Sequence, residues 1–357
     1  MAEILISRRK LKHNFDFLEG LFNKHGIEWG IVTKLLCGNA LFIKEVMSLG
    51  VKELMDSRIS NLKTIKRLNP GIKTLYIKPP PRRSIRSVVK YADASLNSDL
   101  ETLKLISKEA VKQGKVHEVI IMIEMGELRE GVPGDHLVDF YEQAFELPGI
   151  EITGFGTNLN CLYGVMPSRD KLIQLSLYKQ IVEVKFSRKI RYLSGGTSVT
   201  IPMLFSKQVP PGVNHFRVGE TLYFGANLFT GKTIKGMRDD VISFQAEIIE
   251  LWEKPMVPEG TMAENPSGET YEINQSDYGK TSCRALLDVG LLDISPDFLI
   301  PADKNITIAG ASSDMLVIDL GKNPKKYKVG DFMKFKLKYM GALGLFNSDY
   351  VVKRVED

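Results

Sequence analysis

Cysteine is scarce in this chain of 357 residues: Cys37, Cys161 and Cys283 are its three, and they stand far apart. An odd, sparse count argues against a disulfide framework and fits a reducing compartment. Neither these thiols nor the five histidines fall at the spacing of a metal site, so no metal is expected. No apolar run approaches the roughly 20 residues of a membrane span, which argues against a membrane partner. The opening Met1-Ala-Glu-Ile-Leu-Ile-Ser-Arg-Arg-Lys10 lacks the apolar stretch of a secretory signal, and a cytoplasmic protein is expected. Excess charge is also missing. The net charge of +5 is spread along the chain, apart from Pro79-Pro-Pro-Arg-Arg83. That cluster reads as a solvated loop and gives no support for a nucleic-acid partner.

What is present has the proportions of a globular protein, 43% hydrophobic and 25% charged. The length requires two domains, or a barrel with an appendage. Strand-like runs at residues 29–36, 53–57, 73–78, 94–97, 118–124, 151–158, 190–194 and 214–223 alternate with helical patterns. Residues 41–49, 100–111 and 172–185 repeat apolar positions at three- and four-residue spacing, and an amphipathic helix at 11–22 precedes the first of the strands. Eight strands with intervening helices predict an α/β fold, a (β/α)8 TIM barrel over residues 1–232. After about residue 232 helical periodicity fades and short strand-like runs follow, separated by Gly, Pro, Asn and Asp. This predicts a C-terminal all-β domain over residues 233–357, with a long exposed loop at 259–276.

In such a barrel the active site lies at the C-terminal ends of the strands. Lys34 ends the apolar segment Trp29-Gly-Ile-Val-Thr-Lys-Leu-Leu36. Burial there would disfavour the ammonium and make the neutral amine available. A neutral amine can form a Schiff base with an aldehyde. The competing reading is a solvent-facing lysine. The turn Ser194-Gly195-Gly196-Thr197-Ser198 suits a phosphate, because glycines let backbone N–H groups approach and hydroxyls add donors; otherwise it is a plain loop turn. Arg217 lies in the last strand. Hydrogen-bonded to a pyridine nitrogen, it would keep that nitrogen unprotonated; the alternative is a rim arginine paired with an acid. Together these residues point to pyridoxal 5'-phosphate (PLP). Arg129 follows the fifth strand and would meet a carboxylate or the cofactor's phenolic oxygen, or else form a surface salt bridge. Cys161 and Cys37 are either acid–base groups or inert packing.

These segments resemble, in order and over nearly the whole chain, the alanine racemase family of fold-type III PLP enzymes. Ile31-Val-Thr-Lys34 is similar to the family's Val-Val-Lys, whose lysine carries PLP. Ile123-Glu-Met-Gly-Glu-Leu-Arg-Glu-Gly131 resembles Asp-Thr-Gly-Met-x-Arg-x-Gly, which implies Arg129 at the site. Phe155-Gly-Thr-Asn158 falls where the family has Thr-His, so Asn158 would replace the histidine that packs on the ring. Arg217-Val-Gly-Glu-Thr-Leu-Tyr-Phe-Gly225 implies Arg217 at the ring nitrogen, with the backbone of Gly219 and Glu220 at the phosphate. Ser312-Ser-Asp-Met-Leu-Val-Ile-Asp319 resembles a β-domain strand of the family. Gly154-Phe-Gly-Thr-Asn-Leu-Asn-Cys161 and Ser348-Asp-Tyr-Val-Val-Lys353, which places Tyr350 among the cofactor contacts, resemble the subgroup of amino-acid racemases that includes ornithine racemase.

The resemblance implies a homodimer with shared active sites and a small amino acid as substrate, ornithine favoured and lysine next. One departure bears on the mechanism. The family's second base is the tyrosine of Gly-Tyr-Ala-Asp, whereas this chain has Gly290-Leu-Leu-Asp293. Racemisation by two bases needs a group on each face of the carbanion. Lys34 would serve one face, and Cys161, Asp293 or Ser313 the other. Asp293 or Asp314 would alternatively hold the distal ammonium of a basic substrate.

Overall fold

The computed structural model describes residues 1–265, 268 and 270–357. It divides into two compact units. One is Ser7–Val241 with Asp357, and the other is Met1–Ile6 with Ile242–Glu356.

The first unit is a barrel of parallel strands: β2 (Glu28–Val32), β3 (Glu53–Asp56), β4 (Lys73–Tyr76), β5 (Ala94–Asn97), β6 (His117–Met122), β7 (Ile150–Gly156), β8 (Tyr192–Ser194), β9 (Gly196–Thr197) and β10 (His215–Val218). They pair in the order β8-β7-β6-β5-β4-β3-β2-β10-β9. β9 is a two-residue continuation just past β8, so eight positions go round the barrel. At the seam Leu193 N–H donates to Asn214 Oδ1 at 2.8 Å and Asn214 N–H donates to the Leu193 carbonyl at 3.3 Å.

Val32, Met55, Leu75, Ala94, Leu96, Ile120 and Met122 form one buried cluster from five neighbouring strands. Removing such side chains from water stabilises by about 1.5–3 kcal/mol each. Glycine makes room for the largest of them. A Cβ on Gly30 would lie 2.4 Å from Met55 Cε, and one on Gly156 would lie 2.8 Å from Met122 Sδ. The helices begin where capping residues stand. Ser7 caps α1 (Arg8–His25), Asn39 caps α2 (Ala40–Met47), Asp99 caps α5 (Leu100–Lys112) and Ser168 caps α7 (Arg169–Phe186), each accepting from a first-turn N–H. α3 (Ile59–Leu68), α4 (Ile85–Tyr91), α6 (Leu137–Phe145) and α8 (Ile201–Phe205) complete the crossovers.

The second unit is an antiparallel sheet. β15 (Leu299–Pro301), β18 (Phe332–Leu337), β13 (Ile242–Pro255), β14 (Thr281–Leu287), β17 (Leu316–Asp319) and β16 (Thr307–Ala311) follow one another, with β1 (Ala2–Ser7) beside β13 and β19 (Val352–Glu356) beside β1. Ile242, Phe244, Ala246 and Ile248 alternate inward along β13, and the Phe244 and Phe335 rings lie 5.9 Å apart. Among the described residues no helix is long and apolar enough to cross a membrane.

Three features differ from the sequence expectation. Ala2–Ile6 pair with Ile242–Ala246, Met1–Ile6 belongs to the second unit, and the units divide at 241/242 rather than 232/233. The run 29–36 is strand only to Val32, after which Lys34–Leu36 form a tight turn. The run 214–223 is strand only to Val218, and Glu220–Phe224 form the short helix α9. Part of the expected loop at 259–276 lies outside the described residues, at 266, 267 and 269.

Candidate active site

Strand register gathers the candidates of the barrel onto one rim. β10 lies between β2 and β9, with Val218 opposite Ile31 and Arg217 opposite Thr197. The C-terminal ends of these strands carry Lys34, Gly219 and Ser198 as neighbours. β8 ends at Ser194, β7 leads into Asn158, and Arg129 stands on the loop after β6.

Lys34 opens its turn with an exposed side chain, between the buried Val32 and the buried Leu35 and Leu36. The expectation of a buried ammonium is therefore corrected. The apolar neighbours point inward while the turn directs Lys34 outward, to the rim. Beneath it, the Thr33 hydroxyl donates to Asp56 Oδ2 at 2.8 Å and ties the turn to β3. Burial pushes the Glu220 carboxyl up, and the positive charge of Lys34 opposes that shift. Cys37 closes the turn, its N–H donating to the Lys34 carbonyl at 3.2 Å.

Arg217 is 4% exposed and, among the described residues, has no carboxylate in direct contact. Its Nη1 donates to the Ser194 carbonyl at 2.7 Å and to the Ser194 hydroxyl. Its Nη2 donates to the Thr157 carbonyl at 2.6 Å and to Asn158 Oδ1 at 2.8 Å. Burial lowers this guanidinium to about 10, and the charge of Glu130 opposes the shift. A guanidinium has five N–H groups. Four bonds on the terminal nitrogens leave Nε–H as the donor these contacts do not use.

Arg129 pairs with Glu130, Nη2 to Oε1 at 2.7 Å, and the same carboxylate accepts from Asn158 Nδ2. Glu130 raises the Arg129 guanidinium and burial opposes this. Cys161 is exposed. The loop that carries it is held by Glu127, 2% exposed, whose carboxylate accepts from the backbone N–H groups of Asn160 (3.1 Å), Leu162, Tyr163 (3.0 Å) and Val165 (3.0 Å). Glu127 and Glu130 sit in the charged segment around Arg129, and nothing in their spacing announces either role.

The Gly-Gly turn is tightly constrained. A Cβ on Gly196 would lie 2.2 Å from the Phe216 ring, and one on Gly195 would meet Leu172 and Leu175 at 3.1 and 3.3 Å. Ser198 Oγ accepts from the N–H groups of Gly219 at 3.4 Å and Thr221 at 3.2 Å, while Thr197 and Thr200 form a capping box. Hydroxyls and backbone donors of two neighbouring strand ends thus converge.

Asp293, Ser313, Asp314 and Tyr350 belong to the second unit, where they stand near one another. Asp293 Oδ1 accepts from the Ser348 hydroxyl at 2.5 Å, and Tyr350 N–H donates to that same hydroxyl at 3.1 Å. Leu292 N–H donates to the Ser313 carbonyl at 3.0 Å, and the Ser313 hydroxyl donates to Asp314 at 2.8 Å. A Cβ on Gly290 would lie 2.3 Å from the Ser313 carbonyl oxygen, so only glycine lets these turns meet. The Tyr350 residue is 80% exposed.

PLP requires a primary amine, a donor to its ring nitrogen that keeps its own proton, and N–H or O–H groups for its phosphate. Lys34, Arg217 Nε–H and the Ser198 hydroxyl, which accepts from Gly219 and Thr221 and keeps its own proton to donate, fit those requirements on adjacent strand ends. A parallel barrel with a lysine just past its first strand and a buried arginine in its last, joined to an antiparallel unit, defines a distinct class of protein. The chain belongs to the alanine racemase family, whose model, "Alanine racemase, N-terminal domain", matches residues 6–227. It is 36% identical over 354 residues to the ornithine racemase of Acetoanaerobium sticklandii, covering 99% of both chains. It is 29% identical over 353 residues to the lysine racemase of Thermotoga maritima, covering 99% of this chain and 98% of that one. The alanine racemase from Bartonella henselae, solved with covalently bound pyridoxal phosphate, superposes with a TM-score of 0.75 at 16% identity over 99% of both chains, a likeness of fold.

Proposed function

We propose that this chain is a PLP-dependent racemase of a basic amino acid, with ornithine as substrate, acting as a cytoplasmic homodimer. The observation that carries the reading is Arg217: a buried guanidinium held by four neutral acceptors, its Nε–H left over, in the strand beside the one that leads to Lys34. When bound, the cofactor supplies an electron-withdrawing ring that stabilises negative charge at the substrate α-carbon.

Lys34 would hold the cofactor aldehyde, and its amine would take or return the α-proton on one face. Arg217 would hold the ring nitrogen and keep its own proton, so that nitrogen would stay unprotonated and the ring would supply a modest electron sink. That favours return of the proton to the α-carbon and argues against decarboxylation. Arg129 holds the substrate carboxylate. Cys161, in the same unit as Lys34, or Asp293 or Ser313 of the second unit would serve the opposite face. The second unit of one subunit completes the other's site, and Asp293 and Asp314 bring carboxylates for a distal ammonium.

The test is chiral analysis of ornithine, lysine and alanine incubated with the purified protein and PLP. Interconversion of ornithine enantiomers ahead of the other two is the expected result. A protein that binds PLP but racemises none of the three overturns the reading.

A further inference from the structure

We propose that Glu53 and His215 form a positioning relay that fixes Arg217 through the Ser194 hydroxyl. The inference rests on the reading that Arg217 meets the cofactor ring. Ser194 Oγ lies 2.7 Å from His215 Nδ1, and His215 Nε2 lies 3.2 Å from Glu53 Oε2. His215 and Ser194 are buried, and the Tyr192 ring lies 4.7 Å from the imidazole.

Donor accounting sets the direction of every bond. Arg217 Nη1 can only donate, so Ser194 Oγ accepts from it. The Ser194 proton then goes to His215 Nδ1, which must be bare. The ring proton is on Nε2 and goes to Glu53, which can only accept. An imidazolium would donate to Ser194 from Nδ1 and leave the hydroxyl proton in need of another acceptor. The relay therefore holds a neutral imidazole in one tautomer, a role in which the group bonded to one ring nitrogen decides the state of the other.

A matching arm reaches Arg217 from the other side. Asn158 Oδ1 accepts from Arg217 and Nδ2 donates to Glu130. The buried cation is thus flanked by two carboxylates, Glu130 and Glu53, each set back behind neutral side chains. A direct carboxylate would compete for the guanidinium and pull it off its plane. Set back in this way, the two charges offset its burial while its orientation stays fixed.

The test combines two measurements on the full-length protein. Nitrogen-15 NMR of labelled histidine, assigned with His215→Asn, reports the tautomer with or without cofactor. The expected result is a bare Nδ1 and a protonated Nε2. A PLP titration of wild type, Glu53→Gln, Ser194→Ala and the double variant, with folding checked by circular dichroism, reports coupling. Each single change is expected to weaken PLP binding about tenfold, the size of one lost hydrogen bond, and the double variant to be no weaker than Ser194→Ala alone. His215→Asn, which keeps an acceptor at the Nδ1 position, is expected to bind better than His215→Leu. A protonated Nδ1, or losses that multiply in the double variant, overturns the relay. Wild type that binds no PLP overturns the cofactor reading, and the tautomer then decides the relay by itself.

Discussion

Asn158 joins Arg217 to Glu130, its Oδ1 accepting from Arg217 Nη2 at 2.8 Å and its Nδ2 donating to the Glu130 carboxylate. Each end of the amide faces a partner of fixed polarity, so its orientation is dictated by chemistry. Asn158→Ala leaves one Arg217 N–H without its partner, while Glu130 Oε1 keeps its bond from Arg129. An orphaned buried group costs about 1–3 kcal/mol. Thermal unfolding should register that loss, and PLP titration should show weaker binding. Unchanged values of both would sink the assigned role.

Lys34→Ala should abolish the visible absorbance of the PLP-loaded protein that borohydride removes in wild type. Racemisation should fall by about 10³-fold or more, within the range that a lost acid–base group costs. A variant that retains a borohydride-sensitive band would move the attachment to another lysine.

Glu127 organises the loop that carries Cys161 by accepting four backbone N–H bonds. Burial pushes its carboxyl up, but those bonds outweigh burial and hold it below the usual carboxylate value. A lowered folded value means stability that is present above the unfolded value, about 4.3, and is lost as pH falls through the folded one. Glu127→Gln offers one carbonyl where two oxygens stood, and should cost about 2 kcal/mol through lost charge-assisted bonds. Hydrogen exchange at residues 160–165 is the direct measurement, and should accelerate in the variant.

His117 sits buried with Nε2 2.8 Å from the Ser95 hydroxyl, and burial lowers it to about 4, against the pull of Asp93. The fold therefore favours the neutral ring. Its contribution is complete above about 6.5, the ordinary histidine value, and is lost as pH falls from there to about 4. Melting temperature should decline across that window, and His117→Gln should flatten the decline. An unaltered slope in the variant would assign the acid sensitivity elsewhere.

Asp314→Asn and Asp293→Asn test the basic substrate. The variant that removes the carboxylate facing the distal ammonium should raise KM for ornithine about tenfold or more, since a charge-assisted hydrogen bond is worth about 1.5–3 kcal/mol. Residual turnover of alanine, which has no second ammonium, should change little. Equal loss on both substrates would instead mark a damaged second unit.

The strand runs, the Gly-Gly turn and the placement of Lys34 and Arg217 were legible because each leaves a local mark. Strands repeat at two residues and helices at 3.6, and the turn allows only glycine where Phe216 approaches Gly196. The exposure of Lys34 was not legible. The apolar residues around it record burial of the strand, and the turn after Val32 reverses the outcome for one side chain.

By itself the sequence determined an alternating barrel, a change to antiparallel strands, and an amine and a guanidinium at strand positions facing one end, because hydrophobic period and turn chemistry act over a few residues. Only the tertiary structure decided that Ala2–Ile6 pair with a strand some 240 positions away, and that Glu53, Glu130, Asn158, Ser194 and His215 surround Arg217. Those contacts follow from barrel closure, which sets β8 against β10 across the seam and β10 against β2. Hydrogen-bond partners are chosen by that geometry, and residues so far apart in the chain carry no local pattern that marks them as neighbours.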